Sequence, residues 1–394
     1  MSADGQFALS PPQQALFDAA DRFGKEVLYP LSERMDNEEW WPDELWPQLG
    51  QQGFLGTTVS EEYGGAGLSL LESGLVLQAF SRWNHALGLS WVAHDNLCVH
   101  NLLNNANEDV RKRYLPKLCS GEWIGCLGLT EPGAGSDALG SMATRAVRDG
   151  DEWVINGNKL YITNGPVADV CLFYAKTDPN QGSKGITAFV TEADRPGFEV
   201  AQKLTKMGFR GSQTAELVFK DLRLPAANVV GEVDLGHRVV MSGLDFERAI
   251  IAAINVGVAE RALQLSIEFA RQREQFGKPI AAFQMVQSRI ADMYTWVETM
   301  KTFCWQVLAE ASSADEKTAG HGEIHARCAA AVMYCADMCN KVLDNAVQIH
   351  GGNGYIWESE VNRLFRATKL LEIGAGTTEV RKIVIAGELL GRYR

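Results

Sequence analysis

The run Leu129-Thr130-Glu131-Pro132-Gly133-Ala134-Gly135-Ser136-Asp137 is the first segment whose residue types and spacing can do chemistry. Its Gly-x-Gly-x-x-Ala spacing is a form of the dinucleotide fingerprint, which works by aiming backbone N–H groups at a phosphate. Pro132 intrudes, however, and the residues that follow read as hairpins instead of a crossover helix, so a Rossmann fold is rejected. What survives is a glycine loop exposing backbone donors, with the Thr130 and Ser136 hydroxyls beside them, suited to an anionic or carbonyl-rich ligand. Much later, Arg273 offers a fixed cation of the kind that suits a diphosphate. Metal chemistry finds less support. His321, His325 and Cys328 imitate ligand spacing, but His-Gly-Glu-Ile-His is not His-Glu-x-x-His and no second ligand pair stands nearby. The eight cysteines are scattered, mostly among apolar neighbours, and read as reduced core residues.

The elements that must position these residues fall into three zones. Residues 1–122 read as helices. Ser10-Pro11-Pro12-Gln13 and Ser69-Leu70-Leu71-Glu72 are capping boxes, and Asn107-Glu108-Asp109 opens a further helix with acids at its positive end. Leu16, Ala20, Phe23 and Val27 share one face of the first helix, which Pro30 is expected to end. Residues 123–238 alternate β-type runs with turn dipeptides. Hairpins are expected at Asp149-Gly150 and at Asn156-Gly157, with further strands over 170–175, 186–191 and 215–219. Residues 239–394 return to long helices, over 244–271, 283–308 and 324–349, expected to form a bundle.

Composition narrows the function. The 394 residues allow two or three domains, and 46% apolar residues suffice for a sizeable core. Net charge is −12 without a basic run, which argues against a nucleic-acid partner. No run approaches 18–20 uncharged apolar residues, so no membrane span is expected. Met1-Ser2-Ala3-Asp4-Gly5 lacks the features of a signal or transit peptide, which leads to the expectation of a cytoplasmic protein of bacterial type.

Four segments then occur in order: Thr130 to Asp137; Tyr161-Ile162-Thr163-Asn164-Gly165; Arg273-Glu274-Gln275-Phe276-Gly277-Lys278-Pro279-Ile280; and Gln348-Ile349-His350-Gly351-Gly352-Asn353-Gly354-Tyr355. Together they resemble the flavin-dependent acyl-CoA dehydrogenase family, over essentially the whole chain from Glu62-Tyr63-Gly64-Gly65 onward. The resemblance implies an α+β fold: an N-terminal helical domain, a middle β-barrel or sandwich domain and a C-terminal four-helix bundle. It also implies a homotetramer that holds FAD between the β-domain and the bundle. Leu129, Thr130, Tyr161 and Thr163 would surround the isoalloxazine, with Ser136 near the pyrophosphate and Gly135 also binding the cofactor. Arg273, Phe276, Gln348 and Gly352 would receive the adenosine diphosphate half of a neighbouring subunit's FAD, with Thr377 and Glu379 completing the contacts.

The reaction implied is oxidation of an acyl thioester at Cα–Cβ. It needs a carboxylate whose pKa burial has raised towards neutrality, to take the α-proton while hydride leaves Cβ. In many straight-chain members that carboxylate directly precedes the C-terminal Gly-Thr. Here Leu371-Glu372-Ile373-Gly374-Ala375-Gly376-Thr377-Thr378-Glu379 puts Ala375 there. The alternative base position of isovaleryl-CoA dehydrogenases holds Glu247, in Leu244-Asp245-Phe246-Glu247-Arg248. Resemblance to that subgroup extends to Gly374-Ala375-Gly376-Thr377, Met241-Ser242-Gly243 and Gly165-Pro166. Glu372 and Glu379 compete with Glu247.

Asp245, Arg248 and Ser136 match contacts to the CoA-bearing substrate. An Ala375 backbone N–H would hold the thioester oxygen, with small Gly374 and Ala375 leaving space for a branch beside Cβ. The expected substrate is short and branched, as in leucine catabolism or fatty acid β-oxidation. The expected electron acceptor is an electron-transferring flavoprotein. Trp91 and Val92 depart from the isovaleryl pattern and put chain-length preference in question. Residues 312–322 read as a polar surface loop. Rival readings are an acyl-CoA oxidase, other thioester chemistry on the same fold, and a catalytically silent flavin or acyl-CoA binding protein.

Overall fold

The computed structural model describes residues 8–313 and 320–391. The Met1–Gly5 start and most of the 312–322 loop lie outside them.

Seven helices lead: α1 (Pro11–Phe23), α2 (Tyr29–Glu38), α3 (Leu45–Gln51), α4 (Leu70–Trp83), α5 (His85–Val92), α6 (Asn101–Asn105) and α7 (Glu108–Ser120). Both expected capping boxes form. The Ser69 N–H donates to Glu72 Oε2 at 2.8 Å while Ser69 Oγ accepts from the Glu72 N–H at 3.3 Å, and Ser10 and Gln13 are paired likewise. Asn107 caps α7. Pro30 does not end the first helix. A π-helical segment, Gly24–Leu28, carries the chain directly into α2, and Pro30 falls in that helix's first turn, where a missing N–H costs little.

The middle of the chain forms one eight-stranded sheet: β1 (Gly125–Gly128), β2 (Arg145–Asp149), β3 (Glu152–Thr163), β4 (Val170–Lys176), β5 (Ile186–Glu192), β6 (Phe198–Lys203), β7 (Thr214–Pro225) and β8 (Val229–Val230). Strand order is β6-β7-β3-β2-β4-β5-β8, with β1 parallel to β4. The Asp149-Gly150 hairpin joins β2 to β3 as expected. Asn156-Gly157 is not a turn: β3 runs straight through it with a bulge against β7. The Asn156 amide is engaged by Asp221 of β7, and Gly157, at φ 153°, lies so close to Thr144 that a Cβ would clash. Strand β4 is apolar on both faces because it serves two cores. Val170, Leu172 and Tyr174 pack under the helices, and Cys171, Phe173 and Ala175 pack inside the β-domain.

The chain then becomes helical again: α8 (Gly236–Gln272), a small hairpin of β9 (Glu274–Gln275) and β10 (Lys278–Pro279), α9 (Gln284–Ser312), α10 (Gly322–His350), α11 (Gly352–Tyr355), α12 (Glu360–Thr368) and α13 (Thr378–Leu389). Helix α8 is buried on all sides from Arg248 to Ala259, packed by α4, α9 and α10. It alone among the described residues is long and apolar enough to cross a membrane, but 78% of its apolar window is buried inside the protein, so it is a core helix. At Gly257 a Cβ would lie 2.2 Å from the Gln78 carbonyl, so glycine is what lets α4 and α8 approach. One apolar core runs continuously from α1 through α4 and α8 to α12. All eight cysteines are buried and free, and no His/Cys/Asp/Glu cluster among the described residues could hold a metal.

Candidate active site

Three elements converge on one region: the first third of α8, the turn between α12 and α13, and the loop after β1. Leu244 of α8 and Leu129 of the loop pack on the same apolar cluster, and Arg248 Nε donates to the Ala375 carbonyl at 3.3 Å.

Glu247 is half-buried on α8 beneath this convergence. Burial pushes its carboxyl up to about 7, against the opposing pull of Arg248 and Arg381. The next ring, Phe246, meets His100 edge-on at 4.8 Å, and Tyr174 of β4 lies within charge range of Glu247. The competing carboxylates are placed differently. Glu372 accepts from Asn340 Nδ2 at 3.0 Å and is ion-paired with Lys369. Glu379 is exposed, its carboxyl held below the usual range by the N–H groups opening α13 and by Thr377. Burial thus suits Glu247 to proton abstraction near neutrality, while Glu372 is taken up by its partners and Glu379 stands in solvent.

The turn opposite is made of small residues in left-handed conformations: Ala375 at φ 56° and Gly376 at φ 88°. A non-glycine residue with positive φ must be held there by its surroundings. Two buried arginines do so. Arg248 takes the Ala375 carbonyl, and Arg381 Nη2 takes the carbonyls of Leu371, at 3.0 Å, and Gly374. Thr377 caps α13, accepting from the Val380 N–H at 3.4 Å. At Gly374 a Cβ would meet only the Leu370 carbonyl, in ordinary contact at 3.6 Å.

The third element is braced from below. Lys159, fully buried on β3, donates to Glu131 Oε1 at 2.7 Å and to the Leu129 carbonyl at 3.3 Å. Glu131 also accepts from the N–H groups of Ala143 at 2.6 Å and Thr144 at 3.1 Å. Burial pushes the Lys159 ammonium down to about 8. Burial works the other way on Glu131, but the Lys159 charge and these hydrogen bonds hold its carboxyl below the usual range. The Leu160 N–H donates to the Thr130 carbonyl at 2.8 Å, which ties the loop to the strand carrying Tyr161 and Thr163. A second bulge in β3 puts Tyr161 at φ 62° and 67% exposed. Gly133 and Gly135 have nothing within 4 Å of a Cβ position, and Ser136 is exposed. An open backbone cradle with hydroxyls and a projecting aromatic ring fits FAD. Leu129, Thr130, Gly135 and Ser136 lie on this loop, and the Leu160–Thr130 bond ties it to the strand that carries Tyr161 and Thr163.

The second cofactor set is brought together elsewhere. Arg273 follows the last residue of α8, Phe276 is 93% exposed in the β9–β10 hairpin, and Gln348 and Gly352 are exposed at the end of α10. Stacking of Phe269 on His350 at 4.3 Å joins these two ends. Twenty-five residues of helix separate Arg273 from Arg248, about 37 Å at 1.5 Å per residue. Within one chain, Arg273 is remote from Glu247.

Asp245 departs from its expected role. Its carboxylate is buried and occupied, accepting from the Gly320 N–H at 2.6 Å and pairing with His325 Nδ1 and, at 3.8 Å, with Arg248. The structure assigns it to holding Arg248 and the end of the 312–322 segment, not to an open surface. Gly320, the described end of that segment, is itself buried against Met241, so this part is no surface loop. Trp91 is likewise buried. Its indole N–H donates to the Phe54 carbonyl at 2.6 Å and its ring meets Phe80, so its bulk is absorbed by the helical core together with Val92. Arg381, Lys159 and Tyr174 were not legible as site residues. Each looks in sequence like an ordinary helix or strand residue, and only the fold shows which carbonyls and charges they meet.

Comparison with known proteins agrees with this arrangement. Family models for the acyl-CoA dehydrogenase N-terminal, middle and C-terminal domains match residues 10–122, 126–222 and 234–390. Isovaleryl-CoA dehydrogenase, mitochondrial, of Pongo abelii is 44% identical over 382 residues, covering 96% of this chain and 88% of its own. Butyryl-CoA dehydrogenase from Megasphaera elsdenii superposes with TM-score 0.93 at 34% identity, over 98% of this chain and 100% of its own. A solved chain described under electron transferring flavoprotein of Acidaminococcus fermentans does so with TM-score 0.93 at 35% identity, over 98% of this chain and 99% of its own. With three family models spanning the chain and a flavin cradle built beside a tuned carboxylate, the protein belongs to the acyl-CoA dehydrogenase family, as an FAD-dependent oxidoreductase acting on acyl-CoA.

Proposed function

We propose that the substrate is a short, branched acyl-CoA of the isovaleryl type, oxidised to its 2-enoyl-CoA, with Glu247 as the base. FAD supplies the acceptor for the hydrogen that leaves Cβ with its electron pair. The carboxylate of Glu247 takes the α-proton. The turn at Gly374 and Ala375 offers a backbone N–H for the thioester oxygen, stabilising the charge that develops there. Arg248 holds that turn by the Ala375 carbonyl, and the CoA arm runs past Arg248 and Ser136. The observation that carries this reading is the combination of Ala375 opposite Glu247 with a carboxyl raised to about 7. The small residues Gly374 and Ala375 support a branch beside Cβ, as does similarity to isovaleryl-CoA dehydrogenase.

A homotetramer, with Arg273, Phe276, Gln348 and Gly352 serving a neighbouring subunit's FAD, accounts for the distance between the two cofactor sets. Thr377 and Glu379, at the start of α13, would complete those contacts. An electron-transferring flavoprotein as acceptor is supported by the structural likeness noted above. Anaerobic titration with a panel of acyl-CoAs, following bleaching of the flavin, tests the substrate. Isovaleryl-CoA or another 3-methyl thioester should bleach at least as fast as butyryl-CoA. A clear preference for long straight chains would remove the substrate assignment and leave the reaction class standing. Rapid oxygen consumption during turnover would instead identify an oxidase.

A further inference from the structure

Arg381 is an unusual residue to bury. Its side chain is fully enclosed, one nitrogen takes two carbonyls, and Nε and Nη1 have no partner. Holding two carbonyls does not require a full charge. A buried guanidinium with unpaired nitrogens is a poor structural choice unless an anion stands nearby. A second guanidinium, Arg248, is close enough to repel it, and the ion-pair partner of Arg248, Asp245, stands 3.8 Å from its Nη1. Arg381 nevertheless stays protonated at neutral pH, since burial brings it down only to about 10.

The anions within range identify its purpose. Asp245 is taken up by His325 and the Gly320 N–H, and Glu372 by Lys369 and Asn340. Glu247, by contrast, makes no hydrogen bond or ion pair with any described residue, while Arg248 and Arg381 are the two charges that act on it. The other titratable group that feels Glu247, Tyr174 of β4, is neutral, its phenol pushed up by burial and by the Glu247 charge, and His100, against the neighbouring Phe246, is neutral too, pushed down by burial to about 4.

We propose that Arg381 is a positioning residue for the reaction, fixing the Leu371–Gly374 carbonyls of the turn and supplying, with Arg248, the paired cation against which Glu247 ionises. The turn that receives the thioester and the base that attacks beside it would thus be referenced to one guanidinium. This rests on the assignment of Glu247 as the base.

The test compares Arg381→Met, Arg381→Lys and Glu247→Gln as FAD-loaded enzymes, measuring kcat and KM for isovaleryl-CoA from pH 5.5 to 9. Removing a cation raises the carboxyl's pKa, so Arg381→Met should move the acidic limb of kcat/KM up by about one pH unit. Below that limb its rate should fall about tenfold, one pH unit being tenfold in ionised fraction. Arg381→Lys keeps the charge and loses the fork, so its limb should stay put while kcat falls. An unmoved limb in Arg381→Met, or an equal shift in both variants, would overturn the proposal. So would failure of both variants to load FAD, which would make Arg381 a structural anchor. Full activity in Glu247→Gln would instead remove the base assignment, a result distinguishable from any of these.

Discussion

An ionised carboxylate at Glu247 costs the fold stability, a cost that the proposed base would carry for its use. Its folded-state pKa of about 7 lies above the ordinary glutamate value of 4.5. Between those values the folded state holds more protons than the unfolded one, so stability falls as pH rises from about 4.5 to 7 and is level above. The full effect is about 3 kcal/mol. Glu247→Gln should therefore melt a few degrees higher than the parent at pH 8 and nearly level with it at pH 4.5, by thermal scans of FAD-loaded protein. A lower melting temperature at pH 8 would show that the ionised carboxylate is stabilised in ways the structure does not contain. As the proposed base, the same residue should set the pH profile of activity, which should rise through about pH 7. That Glu247 is the base could be argued from Ala375 by resemblance. That Arg381 faces it could not, because the Leu371 and Gly374 carbonyls meet it only when α13 folds back.

At the scale of elements, legibility followed locality. Ser10 and Ser69 announced helix starts because a capping box is complete within four residues. Asn156-Gly157 misled because a turn and a bulge use the same dipeptide. The choice was made by Asp221 and Thr144, distant in sequence. Pro30 misled because a π-helical segment leads directly into a helix whose first turn it occupies, where a missing N–H costs little. Lys159 could not be read at all, since its partner Glu131 lies 28 residues earlier, in the loop after β1. That buried pair gives a sharp prediction. Lys159→Met leaves Glu131 buried without its cation and should cost about 3–5 kcal/mol in urea unfolding, loosening FAD with it. Adding Glu131→Gln should recover part of the loss. A single variant as stable as the parent would show that the pair does not brace the cofactor loop.

For the whole molecule, the length of α8 is decisive. It places Arg273 about 37 Å from the site carrying Glu247, so a monomer cannot use both on one cofactor molecule near Glu247. Arg273→Ala should remove a charge-assisted contact worth about 1.5–3 kcal/mol, lowering FAD retention together with oligomer stability. Flavin-to-protein absorbance ratios and light scattering would show both. Full FAD occupancy with an unchanged oligomer would exclude the shared site. The central claim remains that Glu247 takes the α-proton, and one measurement addresses it directly: the anaerobic rate of flavin bleaching in FAD-loaded Glu247→Gln mixed with isovaleryl-CoA. The carboxamide preserves shape and leaves binding near normal, so the rate should fall about 10²–10⁴-fold, the range general-base catalysis supplies. Bleaching at the parent rate would place the base on another group and contradict the account.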